Sequence, residues 1–592
     1  MLYSYLTEAY MKKIIVLLLI FSIAVPSLIF AANQQTTYTI RDEVYHRVDE
    51  LCRRAGVLGP SSFTPLPARA LLIAMERIDV NRLSAFDKAE YNDLMYILTG
   101  EEAYLYNDDY FSFDLGLNST LKFNVAKYSD YDFGNTDSEE PQPDRRHDTL
   151  VPYRYEPALL SLSMDMDFGE HVALDARFDI KQNQKELYWS NFSGLLSGLA
   201  AELPYQAGAS IGNKFFNLTL GRYPHSVGAG VTGNLLIGDN FNYQEVLLAS
   251  LMSNHFSYNI SITRFDQMVS AEKNSAYADM SRHKFSGDQQ SRVNHRFDLT
   301  LFDKVRFAVN LATIYTSQYG FDFRFFYPFV LSHNYYNYAN NTNIEDIDEA
   351  NNLMTFEFEW TIAKGFTFTA QFALDQLQAP WENQASLPLA IGALANLKYS
   401  TDLNDGRLNL WLEAVYTNPY LYLNGKYNEN GIDEKSYNLD YIVGYNMQYI
   451  DDYGYSGYVY GPDSVVLSLG GSYSNDEAGY EIGGSLLYKA RGEKGLSHIV
   501  HSTNETWIDM SDAVIEKDSE DFMDNIIAPS GGWKNAEHLI RLMAYGTYRL
   551  PEYGWGQISF SGALGAFCYY NYNHTGNNEF LPQLSFSVSY VF

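Results

Sequence analysis

The stretch from residue 221 to residue 240 combines glycines with polar and charged residues, as binding loops do. It contains five glycines and one proline, and it interrupts the alternation of polar and apolar residues around it. Glycines let a backbone approach another group closely or take a positive φ. No Lys-Ser or Lys-Thr pair follows them, so a phosphate-binding loop is not expected. We predict a structural loop formed by Gly221, Gly228, Gly230 and Gly233, with Arg222, Asp239 and Asn240 as ligand-binding residues.

Arginines and loop tyrosines elsewhere extend this candidate site. An aromatic ring can pack against the apolar face of a sugar ring, so Arg296, Tyr335 and Tyr336 are added as ligand-binding residues. A structural interpretation is also open, in which arginines and acids face one another across a lumen and fill it with ion pairs. We favour that interpretation for the charged set as a whole. The set predicted to face the lumen or end a strand is Arg222, Arg264, Arg296, Arg324, Glu357, Glu359, Asp375 and Glu413.

The sequence favours a protein that is not an enzyme. Histidines and serines are plentiful, but no Gly-x-Ser-x-Gly or His-Glu-x-x-His pattern organises them. We expect no cofactor and no metal, because the acidic loop segments lack calcium-loop spacing. The 41 Lys and Arg against 72 Asp and Glu give a formal charge of −31, which excludes a nucleic-acid partner. Cys52 and Cys568 are expected to be free thiols.

A small helical unit is predicted before the part of the chain in which polar and apolar residues alternate. Between residues 38 and 100, apolar residues recur at helical spacing in three stretches, separated near residues 56–67 and 81–84. Ser84 with Asp87 three residues later resembles a capping box. The sequence therefore predicts three short helices.

From Tyr110 onward the period changes from 3.6 to 2, with one apolar and one polar face. The strands are near ten residues long, and short polar turns alternate with long loops. This asymmetry favours a membrane barrel over a soluble sandwich, because a closed barrel satisfies every backbone hydrogen bond in lipid. We predict a mainly β protein, an outer-membrane antiparallel barrel of about 18 strands with a small N-terminal α-helical unit. Clear alternation occurs in residues 111–125, 160–168, 172–180, 354–362, 366–374, 480–488, 540–550 and 584–592.

The aromatic content and the C-terminus fit the same architecture. Aromatic residues make up 16% of the chain, and barrels carry aromatic girdles at both membrane interfaces. The last strand ends with Tyr590 and Phe592, and this ending resembles the signal that the outer-membrane insertion machinery reads. Outer-membrane lipid and that machinery are therefore predicted partners.

The N-terminus predicts export. Met11-Lys12-Lys13 precedes an apolar stretch and Ala31-Ala32, which is the pattern of a secretory signal peptide. The predicted organisation is a signal peptide at 1–31, a periplasmic helical domain at 32–105 and a transmembrane barrel at 106–592. The predicted location is the outer membrane of a diderm bacterium.

The glycine-rich stretch resembles a segment of the capsule-assembly Wzi family. Gly221-Arg222, Val227-Gly228-Ala229-Gly230, Gly233-Asn234-Leu235-Leu236-Ile237 and Asp239-Asn240 are similar to its "GR, W-G-P-G, G-S-L-L-L-S, N" pattern. Val227 replaces the usual Trp, and Ala229 replaces a frequent Pro. His295-Arg296, Asp49-Glu50-Leu51 and Ala55-Gly56-Val57-Leu58 are further similarities. The resemblance implies a barrel of about 18 strands, a periplasmic helical bundle and a lectin-like role in holding surface polysaccharide.

Three functions remain open from the sequence. The first is a non-catalytic protein that binds and displays a capsule-like surface polysaccharide. The second is a porin or channel for small solutes with a charged lumen, which a folded-in glycine loop and a helical plug would close. The third is an adhesin or structural surface protein. Fold does not fix function, so these are hypotheses for the site to decide.

Overall fold

The computed structural model describes most of the chain downstream of the predicted signal peptide. The segment 1–31 and the loop tyrosines Tyr335 and Tyr336 lie outside the described residues. The described residues are 33–99, 106–107, 111–126, 149–182, 191, 199–200, 204–265, 289–317, 323–327, 350–376, 390–419, 421–422, 427–428, 431–432, 442–446, 451–492, 532–551, 556–572 and 574–592.

Within these residues, eighteen antiparallel strands form one closed barrel, as predicted. Each strand pairs with its neighbours in sequence, and the last pairs with the first. The strands are β1 Ser112–Ala126, β2 Leu160–Phe168, β3 Val172–Gln182, β4 Gln206–Gly212, β5 Phe216–Tyr223, β6 Gln244–Met252, β7 Phe256–Phe265, β8 Gln289–Leu301, β9 Val305–Ser317, β10 Ala350–Ala363, β11 Phe366–Gln376, β12 Ala390–Leu403, β13 Gly406–Thr417, β14 Ser464–Asn475, β15 Tyr480–Arg491, β16 Glu537–Arg549, β17 Gln557–Tyr572 and β18 Asn577–Val591.

The two ends of the barrel differ in their connections. Tight turns such as Phe302-Asp303 and Asn404-Asp405, both with positive φ, join strands at one end. Positive φ at both central residues is the geometry of a two-residue hairpin turn. Long connections, including residues 224–243 and 418–463, join strands at the other end. We call these the short-turn end and the long-loop end.

The outer surface of the barrel is apolar, which is how strands meet lipid. Leu121, Phe123 and Val125 on β1 are exposed by 44%, 37% and 70% of their surface, while Lys122 between two of them is buried. This is the period-2 pattern of a two-faced strand. The C-terminal Phe592 is exposed, and its backbone pairs with Leu117 of β1 to help close the barrel.

The predicted three-helix unit is confirmed as α1 Glu43–Ala55, α2 Ala68–Met75 and α3 Ala85–Leu98. Its core contains Val48, Leu71 and Leu94, all fully buried. The α3 N-terminus is capped as predicted, with the Ser84 hydroxyl accepting from the Asp87 backbone N–H. No helix in the described residues has the length and hydropathy to cross a membrane. Cys52 and Cys568 are both free, as expected.

The helical unit packs against the short-turn end. The Leu58 N–H donates to the Asp303 carbonyl at 2.9 Å, and the Gly365 N–H donates to the Arg53 carbonyl at 2.8 Å. Arg407 of β13 also contacts Glu90 of α3 at 3.3 Å. Backbone hydrogen bonds and a buried charge pair therefore fix the unit to the turns.

The main hydrophobic core of the molecule lies inside the barrel. Side chains from β5 to β7 and from β9 to β18 form one cluster with residues of the connections 224–243 and 418–463 and with Phe63 of the helical unit. A wide porin keeps a polar, water-filled lumen, whereas this interior is apolar at the level of the cluster. The members contributed by the connections are Val227, Leu235, Leu236, Ile237, Phe241, Leu421, Tyr422, Tyr455, Tyr458 and Val459.

Candidate functional site

The glycine-rich connection between β5 and β6, residues 224–243, folds into the barrel, and we call it the lumen loop. Val227 and Ile237 pair across it in an antiparallel bridge. Val227 also pairs with Phe63, and Ser226 pairs with Thr64, so a strand of the helical unit meets the loop inside the barrel. The lumen loop and the helical unit are thus joined by backbone pairing.

One carboxylate on the wall holds the tip of the lumen loop. Glu413 of β13 accepts from the backbone N–H of Val231 at 2.6 Å and of Thr232 at 2.7 Å, and from the Thr232 hydroxyl at 2.6 Å. Glu413 is 1% exposed. Hydrogen bonds to a charged acceptor are stronger than those between neutral groups. The buried Glu413 carboxylate therefore fixes the position of the loop tip against the wall.

Three of the four predicted loop glycines shape the lumen loop. Gly228 and Gly233 have φ of +125° and +149°, and a Cβ on Gly230 would lie 1.9 Å from the Gly233 carbonyl oxygen. Gly221 instead lies within β5, where a Cβ would meet the Ala207 carbonyl at 2.6 Å and the ring of Tyr223. Gly221 therefore allows close packing in the wall.

Asp239 is bound by an arginine from the start of the helical unit. Arg41 Nε and Nη2 donate to its carboxylate at 3.0 and 2.6 Å, and the Tyr155 hydroxyl donates to it at 2.6 Å. Burial alone would raise the pKa of Asp239, but the Arg41 charge and hydrogen bonds lower it overall. Arg41 also donates to the carbonyl of Phe241.

Asn240 binds two backbone carbonyls of a different connection. Its side-chain amide donates to the carbonyls of Tyr455 at 2.8 Å and Gly457 at 2.6 Å, and the residue is 7% exposed. These carbonyls belong to the connection between β13 and β14. Asn240 thus joins two connections that enter from the long-loop end.

Arg296 lies at the centre of a buried ion network in the lumen. It contacts Asp298 at 2.8 Å and Glu357 at 2.9 Å, and it donates to the Ser62 hydroxyl at 3.0 Å. The Arg296 side chain is fully buried, and those of Asp298 and Glu357 are 4% and 6% exposed. The predicted ion pairing of lumen-facing charges is present, but it runs along the wall from β8 to β10 and does not cross the lumen. The helical unit joins this network through the Ser62 hydroxyl.

A second arginine follows the same pattern. Arg306 of β9 contacts Glu359 at 2.9 Å and donates to the carbonyls of Pro60 and Gly59 at 2.9 and 2.7 Å. The segment 59–62 is therefore held by two wall arginines. Asp375 has a different partner, because it accepts from the Tyr422 backbone N–H at 2.8 Å.

Arg222 and Arg264 do not face the lumen, contrary to our prediction. Tyr223 takes the inward position on β5, where its hydroxyl reaches Asp175, so the preceding Arg222 points outward. Arg222 contacts Glu245 at 2.8 Å, with 24% of its side chain exposed. Arg264 is likewise exposed, between inward-facing Thr263 and Phe265. Adjacent residues of a strand take opposite faces.

The sequence analysis missed two residues that hold this site together, Arg41 and His225, whereas Glu413 was in the charged set predicted to face the lumen. Burial lowers the pKa of His225 to about 3, with the charge of Arg292 adding to the effect. The neutral ring donates from Nδ1 to the Thr64 carbonyl, and its Nε2 accepts from the Ser261 hydroxyl. The only available signal was the position of His225 beside the glycines.

We predict that the Arg41–Asp239 contact makes the lumen loop sensitive to acid. The pKa of Asp239 is depressed in the folded state, so its contribution to the free energy of unfolding is complete above the ordinary Asp pKa of about 4. That contribution is lost as the pH falls through the folded-state pKa. Asp239→Asn should lower the free energy of unfolding by about 2 kcal/mol at pH 7 and flatten its acid dependence.

Denaturant titrations of wild type and Asp239→Asn in lipid vesicles between pH 7 and pH 3 would measure this. Asp405→Asn, in a tight turn at the short-turn end, is the matched control and should leave the acid dependence unchanged. Equal acid dependence in wild type and Asp239→Asn would contradict the assignment.

Comparison with solved structures identifies the fold. The chain is similar to Wzi of Escherichia coli, described as an outer membrane protein involved in group 1 capsule assembly and a carbohydrate-binding β-barrel. The TM-score is 0.56 at 12% identity, covering 94% of this chain and 99% of Wzi. OccK3 (OpdO) of Pseudomonas aeruginosa matches with a TM-score of 0.37 at 7% identity, covering 81% of this chain and 95% of that one.

OprD of Pseudomonas aeruginosa matches with a TM-score of 0.36 at 9% identity, covering 82% of this chain and 96% of that one. No protein-family model and no curated protein matches the sequence. The closed barrel with its N-terminal helical unit, aligned over nearly the whole length of both chains, gives this protein the fold of the Wzi barrel.

Proposed function

We propose that this protein binds a surface polysaccharide at the long-loop end of an outer-membrane barrel and retains it there without catalysis. The observation that carries the proposal is the apolar core that fills the barrel interior, because a filled lumen suits a binding scaffold better than a solute channel. The similarity to the Wzi fold, whose described member binds carbohydrate, supports the same function.

In this proposal, the predicted site residues divide into two roles. Asp239, Asn240 and Arg296 have their polar groups engaged by protein partners, so they position the lumen loop and its neighbours. Direct contacts with the polysaccharide are assigned to Arg222 and to the loop tyrosines Tyr335 and Tyr336. Ring stacking and charge-assisted hydrogen bonds are the interactions that these side chains offer a sugar.

The remaining parts of the proposal concern topology. The signal peptide at 1–31 exports the chain, and the insertion machinery reads the C-terminal Tyr590 and Phe592. The helical domain at 32–105 lies on the periplasmic side, together with the short turns it contacts. Short turns on the periplasmic side and long loops outside are the usual orientation of such barrels.

A glycan-binding measurement on the refolded barrel tests the function. We expect retention of at least one acidic or neutral surface polysaccharide, and Tyr336→Ala should weaken it about tenfold, or about 1.4 kcal/mol. Arg222→Ala should weaken it similarly. Tyr473→Ala, a tyrosine whose hydroxyl bonds the Leu403 carbonyl at the short-turn end, should leave binding unchanged. Absence of retained sugar at every salt and calcium concentration would overturn the proposal.

A channel for small solutes is the alternative function, and planar-bilayer recording separates the two. A steady large conductance of the wild-type barrel would favour the channel. Retained polysaccharide with a silent barrel would favour the binding function.

A further inference from the structure

A short aromatic segment of the connection between β9 and β10 lies against the outside of the barrel, and we call residues 323–327 the outer flap. Phe323–Phe326 form one 3₁₀ turn. Phe325 is 6% exposed and stacks on Tyr315 of β9, with ring centres 4.3 Å apart. Phe323 and Tyr327 are 76% and 58% exposed.

The flap covers a part of the wall that would otherwise meet lipid. Near the short-turn end, the outward neighbours Phe256, Leu299 and Phe307 are 47%, 46% and 47% exposed. Further along the same outward face, Ile262 and Val293 are only 6% and 1% exposed, because they cluster with Phe325. The change from exposed to buried on one face marks where the flap replaces lipid.

A tyrosine–histidine pair holds the flap in place. His295 Nε2 donates to the Phe325 carbonyl at 2.6 Å, and its Nδ1 is 2.8 Å from the Tyr258 hydroxyl. The same arrangement recurs on the other side of the barrel. There His538 Nε2 donates to the Trp533 carbonyl at 2.9 Å, and its Nδ1 is 2.8 Å from the Tyr488 hydroxyl. Both pairs fix an aromatic loop residue beside the outer wall.

Charged side chains mark the edge of the apolar belt at the level of the flap. Arg222 pairs with Glu245, and extending the β6–β7 register by one residue beyond the pair Val246–Thr263 places Glu245 opposite Arg264. Arg264 lies eight residues from Phe256 along β7, which is about 26 Å of strand. On strands tilted by about 40°, this length spans about 20 Å of height, which is most of an apolar belt about 25 Å tall. The row of Arg222, Glu245 and Arg264 interrupts the apolar outward face there, so it lies near the edge of the belt towards the long-loop end.

We propose that the outer flap and this charged row bind an anionic lipid headgroup in the membrane leaflet at the long-loop end. Arg264 and Arg324 would contact the phosphate, and Phe323 and Tyr327 would pack against the upper acyl chains. The row and the flap bring three arginines and one glutamate to this level of the outer wall, in a chain whose formal charge is −31. Arginine is well suited to phosphate because of its fixed, forked donors. The inference does not depend on glycan binding.

Native mass spectrometry of the full-length barrel, released from nanodiscs containing phosphatidylglycerol and phosphatidylcholine, tests this proposal. We expect wild type to retain phosphatidylglycerol preferentially. Arg264→Gln and Arg324→Gln should each weaken that preference about fivefold, equivalent to about 1 kcal/mol, while Arg264→Lys should preserve most of it. Lys88→Gln, which removes an exposed cation of the helical unit, should have no effect.

The aromatic contribution has its own variant. Phe323→Asn should reduce retention of both lipids together, since it removes acyl packing and leaves the phosphate contacts. Wild type without lipid preference, or Arg264→Gln and Arg324→Gln variants that fold but keep the full preference, would overturn the proposal. Displacement of phosphatidylglycerol by excess inorganic phosphate would also overturn it, because the site would then be an ion site.

Discussion

Replacing residues 228–236 by a two-residue Asn-Gly turn is expected to change a silent barrel into a conducting one. Val227 and Ile237, which flank this segment, are antiparallel bridge partners, so a tight hairpin turn can join them without moving either. The replacement removes Leu235 and Leu236 from the middle of the interior core. Water and ions should then occupy the space between the walls.

Planar-bilayer recording of single barrels measures this change. Wild type should show no steady opening, whereas the loop variant should show long-lived openings with the current steps of a wide channel. Val231→Ala is the matched control, because Val231 is in the same loop but is 37% exposed and outside the core. A loop variant that folds and stays silent would show that other segments suffice to close the lumen.

The position of the core also changes the expectation for the helical unit. Within the described residues, only Phe63 of that unit belongs to the interior cluster, while the connections from the long-loop end supply the other non-wall members. Removing residues 38–100 should therefore leave the apolar core largely in place. We expect a smaller and less stable current from that deletion than from the loop replacement.

Arg296→Met is expected to lower the free energy of unfolding by about 3–5 kcal/mol. The change removes the cation and leaves the carboxylates of Asp298 and Glu357 buried without it. Arg222→Met is the matched control, since its contact with Glu245 is at the surface, with 51% of the Glu245 side chain exposed. An exposed pair contributes about 0–1 kcal/mol.

Denaturant titration in lipid vesicles would measure both variants. The triple variant Arg296→Met, Asp298→Asn and Glu357→Gln should recover part of the loss, because it removes the unpaired charges as well. A change in glycan retention without a loss of stability in Arg296→Met would contradict this prediction. Arg296 would then be a ligand contact, and the ion network would contribute little to the free energy of unfolding.

The local pattern of polar and apolar residues was sufficient to predict the clearly alternating strands and the helices. Period-2 alternation with an apolar face predicts each clearly alternating strand and its lipid-facing side, because the pleat alone places neighbours on opposite faces. The three helices and the Ser84 cap follow from 3.6-residue spacing and a local hydrogen bond. Such features depend on residues only a few positions apart, so no tertiary information is needed.

Whether a charged side chain at a strand end points into the lumen or out of the barrel was not predictable in the same way. A shift of one residue reverses every side chain, and Arg222 and Arg264 were assigned to the wrong face for this reason. On β5, Tyr223 points into the barrel because its hydroxyl bonds to Asp175 on another strand, and Arg222 therefore points outward. The connection 418–463, which contributes Tyr422, Tyr455 and Tyr458 to the core, had no periodic signal that predicted its place inside the barrel.

The sequence by itself determined that this chain forms a barrel of about 18 strands with a helical unit before it, since both depend on local periodicity. The tertiary structure alone decided that the candidate residues Asp239 and Arg296 are engaged by Arg41 and Ser62. These partners are 198 and 234 residues away along the chain. Contacts over such separations exist only when the barrel has closed around the lumen loop and the helical unit has docked, so no local pattern encodes them.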